Sequence, residues 1–157
     1  MRVGQGFDAH RFKNGRKLIL GGEQIEHPVG LLGHSDADVL THALIDAILG
    51  AAGMGDIGMH FPDTDPAYEG ASSIEMLKSV VHDIRGQGFK ITNVDVTVFA
   101  QEPRIAPFRG AIIRNLAKAM AVEPERISLK ATTTEGMGFI GRSEGIAAAA
   151  AVLLDNQ

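Results

Sequence analysis

The spacing of apolar and polar positions divides the chain into alternating extended and helical segments. RVGQGFDAHRF (residues 2–12) and KLILGGEQIE (17–26) read as extended, and the turn-forming KNGR between them, centred on Asn14-Gly15, predicts two strands joined as a hairpin. The period then changes. Leu40, Ala43, Leu44, Ala47, Ile48 and Ala51 recur at helical spacing, with Ser35 or Asp36 placed to cap the start and Gly50 and Gly53 to end the segment. GMGDIGMHFPDTDPAYEGA follows as a long polar loop, and loops of that length are uncommon unless functional or disordered. A second helix is predicted from about Ser72 to Arg85, stopped by Gly86 and Gly88. Ile91, Val94, Val96 and Val98 set against Thr92, Asp95 and Thr97 predict a strand. A third helix runs from after Pro107 to about Met120, then a strand at ISLKATTT and a loop at EGMGFIGRSE. The tail GIAAAAAVLLD stays open on local grounds: five alanines favour helix by propensity, yet small side chains also suit a closely packed strand.

Composition narrows the class. At 157 residues, 45% hydrophobic and 22% charged, the chain is expected to form a single domain over residues 1–157 with a sizeable core. The net charge of −4 argues against nucleic acid as the main partner, although a local basic patch can still hold a phosphate. There is no cysteine, so disulfides and thiolate ligands are excluded and any zinc must be held by His and carboxylate. No stretch is long and apolar enough to span a membrane, and MRVGQGFDAHRF lacks the apolar core of a signal peptide, so the expectation is no membrane partner and a cytoplasmic location.

Three residues carry the sharpest chemistry. Asp8 and His10 stand two apart on a predicted strand and therefore share a face. His42, on the first helix, brought against that face completes one carboxylate and two imidazoles, the ligand set of an open catalytic zinc site. Asp38 and Asp46 lie four residues either side of His42, where a carboxylate can accept the second ring N–H; the alternative is that both simply face solvent. His34 and Ser35 precede the helix, whose first amides favour an anion, or they form an ordinary cap. Asp56, Asp63 and Asp65 suit either the hydroxyls of a polyol or plain turns. Thr132, Thr133 and Thr134 could present hydroxyls to a diphosphate, Glu135 could hold a harder cation, and Arg142 could pair with phosphate; the alternative is a solvated strand end. The strand-end loop from Ala100 to Arg104 carries no nucleophile. GQGFDAH begins as G-x-G but has Ala9 at the sixth position, so a dinucleotide fingerprint fails.

GQGFDAH, LLGHSDADVLTHALIDAILGAAGMGDIGMHFPDTDP, NVDVTVFAQEPR and KATTTEGMGFIGRSEGIA, in this order over nearly the whole chain, resemble the 2-C-methyl-D-erythritol 2,4-cyclodiphosphate synthase family. The resemblance implies an α/β (α+β) fold: a four-stranded mixed sheet with helices on one side, assembled as a homotrimer with active sites between subunits. It makes the alanine-rich tail a strand. It implies one Zn²⁺ per subunit at Asp8, His10 and His42, and Mg²⁺ or Mn²⁺ at Glu135 with the substrate. It assigns His34 and Thr133 to transition-state stabilisation and Ser35 to the 2-phosphate. Asp56 and Gly58 fall to the ribose and Asp63 to the methylerythritol hydroxyls, and Ala9, Ile57, Phe61, Pro62, Thr64 and Asp65 are assigned to substrate binding without a narrower role. The cytosine and its α-phosphate fall to Ala100, Gln101, Glu102, Pro103, Arg104, Ile105 and Ala106 together with Thr132, Thr133 and Thr134. Phe139 and Arg142 complete the pocket.

The implied substrate is a cytidine diphosphate-linked small molecule whose own 2-phosphate attacks the β-phosphorus and expels CMP. Such a reaction needs charge neutralisation and in-line positioning rather than a protein nucleophile, which fits a chain without Cys or a serine-hydrolase motif.

Overall fold

A computed structural model describes residues 1–156; Gln157, the last residue of the expected domain, lies outside the described residues. The chain opens with a long strand β1 (Arg2–Lys13), the short strands β2 (Leu18–Leu20), β3 (Glu23–Ile25) and β4 (Gly30–Leu31), and helix α1 (Val39–Ala52). A one-turn helix α2 (Ile57–His60) leads to α3 (Ser73–Gly86), β5 (Phe89–Phe99), α4 (Arg109–Met120) and β6 (Ile127–Thr132). A further single turn, α5 (Gly138–Gly141), precedes β7 (Gly145–Asn156). The main sheet has the order β4-β1-β7-β5-β6. Among the described residues only β5 and β6 pair in parallel, joined through α4, so the sheet is mixed and the fold is α/β.

Two expectations are corrected. The sheet has five strands, not four, because Gly30 and Leu31 return along the outer edge of β1 and pair with Lys13 and Phe12. KLILGGEQIE is not the partner of β1. It folds on itself, Leu18 opposite Ile25, around Gly21 and Gly22 at φ 57° and 70°. Two consecutive left-handed residues make the tight hairpin turn that matches strand twist, and glycine adopts it without steric penalty. Asn14-Gly15 instead turns the chain away from the sheet.

The tail forms a strand along its whole length despite its alanines. β7 lies between β1 and β5, and Ile146, Ala148, Ala150, Val152 and Leu154 are buried toward the helices. Register places Gly4 opposite Val152 and Gly6 opposite Ala150, and α1 presses onto this patch. A Cβ at Gly4 would lie 1.9 Å from the Ala47 carbonyl oxygen, and one at Gly6 2.0 Å from that of Ala43. Close approach of helix to sheet therefore demands small residues, and tertiary packing overrides helix propensity. Val94, Val96 and Val98 of β5 and Ile127 and Leu129 of β6 continue the same face beneath α3 and α4. The opposite face is open, with Val3 75% and Phe7 55% exposed.

α1 is buried on nearly every side, and only His42, Asp46 and Gly50, at four-residue spacing, break the apolar surface. Its N-cap is Asp38, neither Ser35 nor Asp36. The fully buried Asp38 carboxylate accepts from Gly21 N at 2.9 Å, Gly22 N at 2.8 Å, Thr41 N at 3.0 Å and Thr41 Oγ1 at 2.7 Å. One side chain thus caps the helix and fastens the β2–β3 turn to it. Asp38→Ala strands these donors and is expected to cost about 2 kcal/mol of stability, read as a lower midpoint in urea unfolding with an unchanged slope. Among the described residues, no helix is long and apolar enough to cross a membrane.

Candidate metal and substrate site

β1 presents Asp8 and His10 on the face that carries Gly6, just beyond the point where α1 crosses, and the first full turn of α1 lowers His42 onto them. One donor atom from each of the three lies within 4.8 Å of the others. Asp8 Oδ2 stands 2.7 Å from His10 Nε2, and His42 Nδ1 is 3.2 Å from Asp8 Oδ2 and 3.3 Å from His10 Nε2. The side chains of Asp8, His10 and His42 are 26%, 18% and 12% exposed, so the cluster is sheltered without being sealed.

Each ligand's remaining polar atom is already engaged. Asp8 Oδ1 accepts from Ala9 N at 2.8 Å, and His10 Nδ1–H donates to Leu32 O at 2.6 Å. His42 Nε2 faces Ser73 Oγ at 2.8 Å and Ser35 Oγ at 3.1 Å. The outward contacts fix orientation and leave the lone pairs of Oδ2, Nε2 and Nδ1 converging on one point. That arrangement fits a divalent cation held by one carboxylate and two imidazoles, with room for a further ligand. Burial works to raise the Asp8 carboxyl pKa, but hydrogen bonds and charge from His10 and His42 outweigh it and hold the group well below the carboxylate range. Burial likewise works against a charged His10, yet its contacts with Asp8 raise its pKa above the ordinary histidine value. The cluster therefore favours the carboxylate anion that a metal requires.

A cavity of about 420 Å³ opens directly over these atoms. Asp8, His10, His34, Ser35, His42, Ile57, Gly58, Phe61, Pro62 and Asp63 line it, all of them singled out in the sequence for this site. Gly33, Tyr68 and Met76 line it as well without having been assigned there, and so does Asp46, singled out only as a candidate partner of His42. Tyr68 meets Phe61 edge-to-face, with ring centroids 5.4 Å apart. Neither flanking carboxylate hydrogen-bonds the His42 ring: the Asp38 carboxylate caps the helix, and Asp46 Oδ1 accepts from Ile57 N at 2.7 Å. Asp46 thereby tethers to α1 the loop that carries Asp56. Asp56 caps α2 by accepting from Met59 N at 3.0 Å, while Asp65 accepts from His34 Nε2–H through its carbonyl at 3.1 Å and caps the next turn through its side chain. The supposed long loop is thus built from two short capped turns.

The remaining candidates gather elsewhere. The parallel pairing of β5 and β6 brings their ends together, where Ala100 N donates to Thr132 O at 3.0 Å and a cis Glu102–Pro103 peptide follows. Ile105 and Ala106 line a cleft of about 330 Å³ with Arg109, Leu129, Lys130 and Ala131. Glu135, at φ 55°, is exposed beside Thr133, whose Oγ1 lies 3.3 Å from its carboxylate. Phe139 is 43% exposed, and Arg142 pairs with Glu144 at 2.6 Å. Among the described residues, none of Ala100–Ala106, Thr132–Glu135, Phe139 or Arg142 lines the cavity over the His/Asp cluster. One chain therefore carries the expected site as two separate surfaces.

The model of the YgbB family matches residues 1–155. A 2-C-methyl-D-erythritol 2,4-cyclodiphosphate synthase of Syntrophomonas wolfei is 55% identical over 155 residues, spanning 99% of each chain. Among solved structures, the bifunctional IspDF from Campylobacter jejuni superposes with a TM-score of 0.96 at 47% identity, over 99% of this chain and 42% of that one. IspF of Plasmodium falciparum, in a CDP complex, superposes with a TM-score of 0.87 at 36% identity, over 99% of this chain and 96% of that one.

Proposed function

Since the chain belongs to the YgbB family, we propose the following division of labour for its two surfaces. The activity is that of a 2-C-methyl-D-erythritol 2,4-cyclodiphosphate synthase of the isoprenoid pathway. The observation that carries the mechanistic reading is the convergence of Asp8 Oδ2, His10 Nε2 and His42 Nδ1 beneath the 420 Å³ cavity. The substrate is 4-diphosphocytidyl-2-C-methyl-D-erythritol 2-phosphate. An oxygen of its 2-phosphate bonds to the β-phosphorus, the bond from that phosphorus to the bridging α,β-oxygen breaks, and CMP leaves with the electron pair. This makes the chain a CMP-releasing lyase dependent on divalent metal.

When bound, zinc at Asp8, His10 and His42 and Mg²⁺ or Mn²⁺ at Glu135 supply positive charge to the phosphate oxygens. The chain's own groups do the positioning. Ser35 holds the 2-phosphate, and His34, held by its contact with the Asp65 carbonyl, stabilises the transition state. Asp63 takes the methylerythritol hydroxyls, and Asp56 and Gly58 take the ribose. Ala100–Ala106 and Thr132–Thr134 cradle the cytosine and α-phosphate, with Thr133 placed on the transition state, and Phe139 and Arg142 close the pocket. The nucleophile is already an anion, so bringing it in line is the main requirement.

The two surfaces must meet for this to work, and we assign that to a homotrimer in which the metal side of one subunit faces the cytidine side of the next. The open sheet face with exposed Val3 and Phe7 supports such an assembly, since burial of large apolar side chains drives association. Residues 1–157 act as one synthase domain. The proposal includes a cytoplasmic location, as a multiply phosphorylated substrate does not cross a bilayer unaided.

Incubation with the diphosphocytidyl substrate, Zn²⁺ and Mg²⁺, followed by ³¹P NMR, tests the reading. Two coupled resonances of a cyclic diphosphate plus free CMP are expected; orthophosphate would instead identify a hydrolase. Glu135→Gln is expected to raise the Mg²⁺ concentration for half-maximal rate about tenfold, equivalent to roughly 1.4 kcal/mol of lost charge-assisted contact, while zinc affinity stays the same. A Mg²⁺ titration beside a zinc titration separates the two metals.

A further inference from the structure

The nearer outward contact of His42 is Ser73, which is bound in turn by Asp36, and the proposed reaction uses neither residue. Ser73 is the first residue of α3 and is fully buried. Its Oγ lies 2.8 Å from His42 Nε2 on one side and makes a short hydrogen bond to Asp36 Oδ1 on the other. The other Asp36 oxygen accepts from Ser73 N at 2.9 Å. Both oxygens of Asp36 thus clasp one residue, and Asp36 Oδ1 also accepts from Asp38 N at 3.2 Å.

Along the series Asp36–Ser73–His42 the chemistry of the groups sets the direction of the bonds. An ionised carboxylate only accepts, so the Ser73 hydroxyl hydrogen must point at Asp36. Ser73 Oγ is then left as an acceptor and takes the hydrogen on His42 Nε2. A neutral imidazole with its hydrogen on Nε2 has its lone pair on Nδ1, the atom that faces Asp8 and His10. Ser35 Oγ, at 3.1 Å, accepts from Ala37 N at 3.3 Å, and no carboxylate fixes the direction of its hydroxyl.

We propose that Asp36 and Ser73 are positioning residues that set the tautomer and ring orientation of His42, so that Nδ1 is presented to the metal. This rests on the metal reading above and deepens it. The device also links the start of α3 to a ligand on α1, so the site is held by two helices as well as a strand.

The test measures zinc affinity by chelator competition and reads the His42 tautomer in metal-free protein from ¹⁵N-edited NMR of the imidazole. Ser73→Ala is expected to weaken zinc about 10- to 100-fold, the usual cost of losing such an outer partner. Asp36→Asn keeps the side-chain shape, and with its amide nitrogen at the Oδ1 position it gives up the bond from Asp38 N, donates to Ser73 Oγ and frees the Ser73 hydroxyl to donate to Nε2. It is therefore expected to weaken zinc comparably and to move the hydrogen of His42 toward Nδ1. Ser35→Ala is expected to have the smaller effect. Thermal melts of the metal-free variants confirm folding, and Asp36→Asn carries the test if Ser73→Ala does not fold. Zinc affinity within twofold of the parent in either folded variant overturns the proposal, as does an unchanged Nε2–H tautomer in Asp36→Asn. Failure of the parent itself to bind zinc would instead sink the metal reading, and the tautomer measurement on metal-free protein would still decide the Asp36–Ser73 role.

Discussion

A chain with alanine at position 42 is expected to keep its fold and to lose zinc binding and turnover together. His42 supplies the only donor from α1 to the cluster, and Asp8 and His10 alone offer two ligands on one strand. Charge stabilisation by a metal at a phosphoryl centre is worth several kcal/mol, so the rate should fall by about 10³-fold or more. The fold should survive because His42 belongs to the polar stripe of α1, and its removal leaves the helix's buried leucines and isoleucines in place. Product formation followed by ³¹P NMR, with thermal melts of metal-free parent and variant, checks both halves. Full turnover by the variant in the presence of a chelator would remove the metal from the mechanism.

The second large effect is structural. Gly6→Ala is expected to destabilise the protein by about 3 kcal/mol or more, because the new methyl carbon has nowhere to go. It would stand 2.0 Å from Ala43 O and 2.7 Å from Ala47 N, both backbone atoms of a rigid helix. Relief requires α1 to lift from the sheet, and that movement carries His42 away from Asp8 and His10. The urea midpoint and the zinc affinity should therefore fall together, whereas a surface substitution would move neither. A Gly6→Ala protein as stable as its parent would mean that α1 does not sit this closely on β1.

The pattern of the chain made the main helices and long strands legible because each buries one face with a period of its own. Less legible was anything decided by distant partners. Local signals at Asn14-Gly15 and at Gly21-Gly22 both mark turns, and only assembly of the sheet shows that the second one forms the hairpin. HSDAD offers several capping residues. Asp38 prevails because Gly21 N and Gly22 N arrive beneath it from another part of the chain. β4 is two residues long, too short for any alternation to register. At the site, the donor types of Asp8, His10 and His42 and their spacing on strand and helix were readable. The partner of His42 Nε2 was not, because Ser73 stands 31 residues away as an unremarkable residue in a helix start. Asp46 was noticed for its place on the right face, but its hydrogen bond goes to Ile57 N instead. The division of the candidate residues between two surfaces depends on which strand ends lie together, and no linear reading contains that.

The alanine strand raises a problem of reading frame. Ala147–Ala151 looks the same to its neighbours after a slip of one residue, since every position offers the same methyl group. Inside that run, β7 holds no information about where it should pair. The frame is written at the two ends, by Ile146 on one side and Val152 and Leu154 on the other, all of one parity and all turned toward the helices. A one-residue slip would send these branched side chains to the open face and turn Leu153 inward in their place. The stretch that lets the helix come close is therefore mute about its own alignment, and a few bulky residues at its borders specify the pairing of the central strand of the sheet.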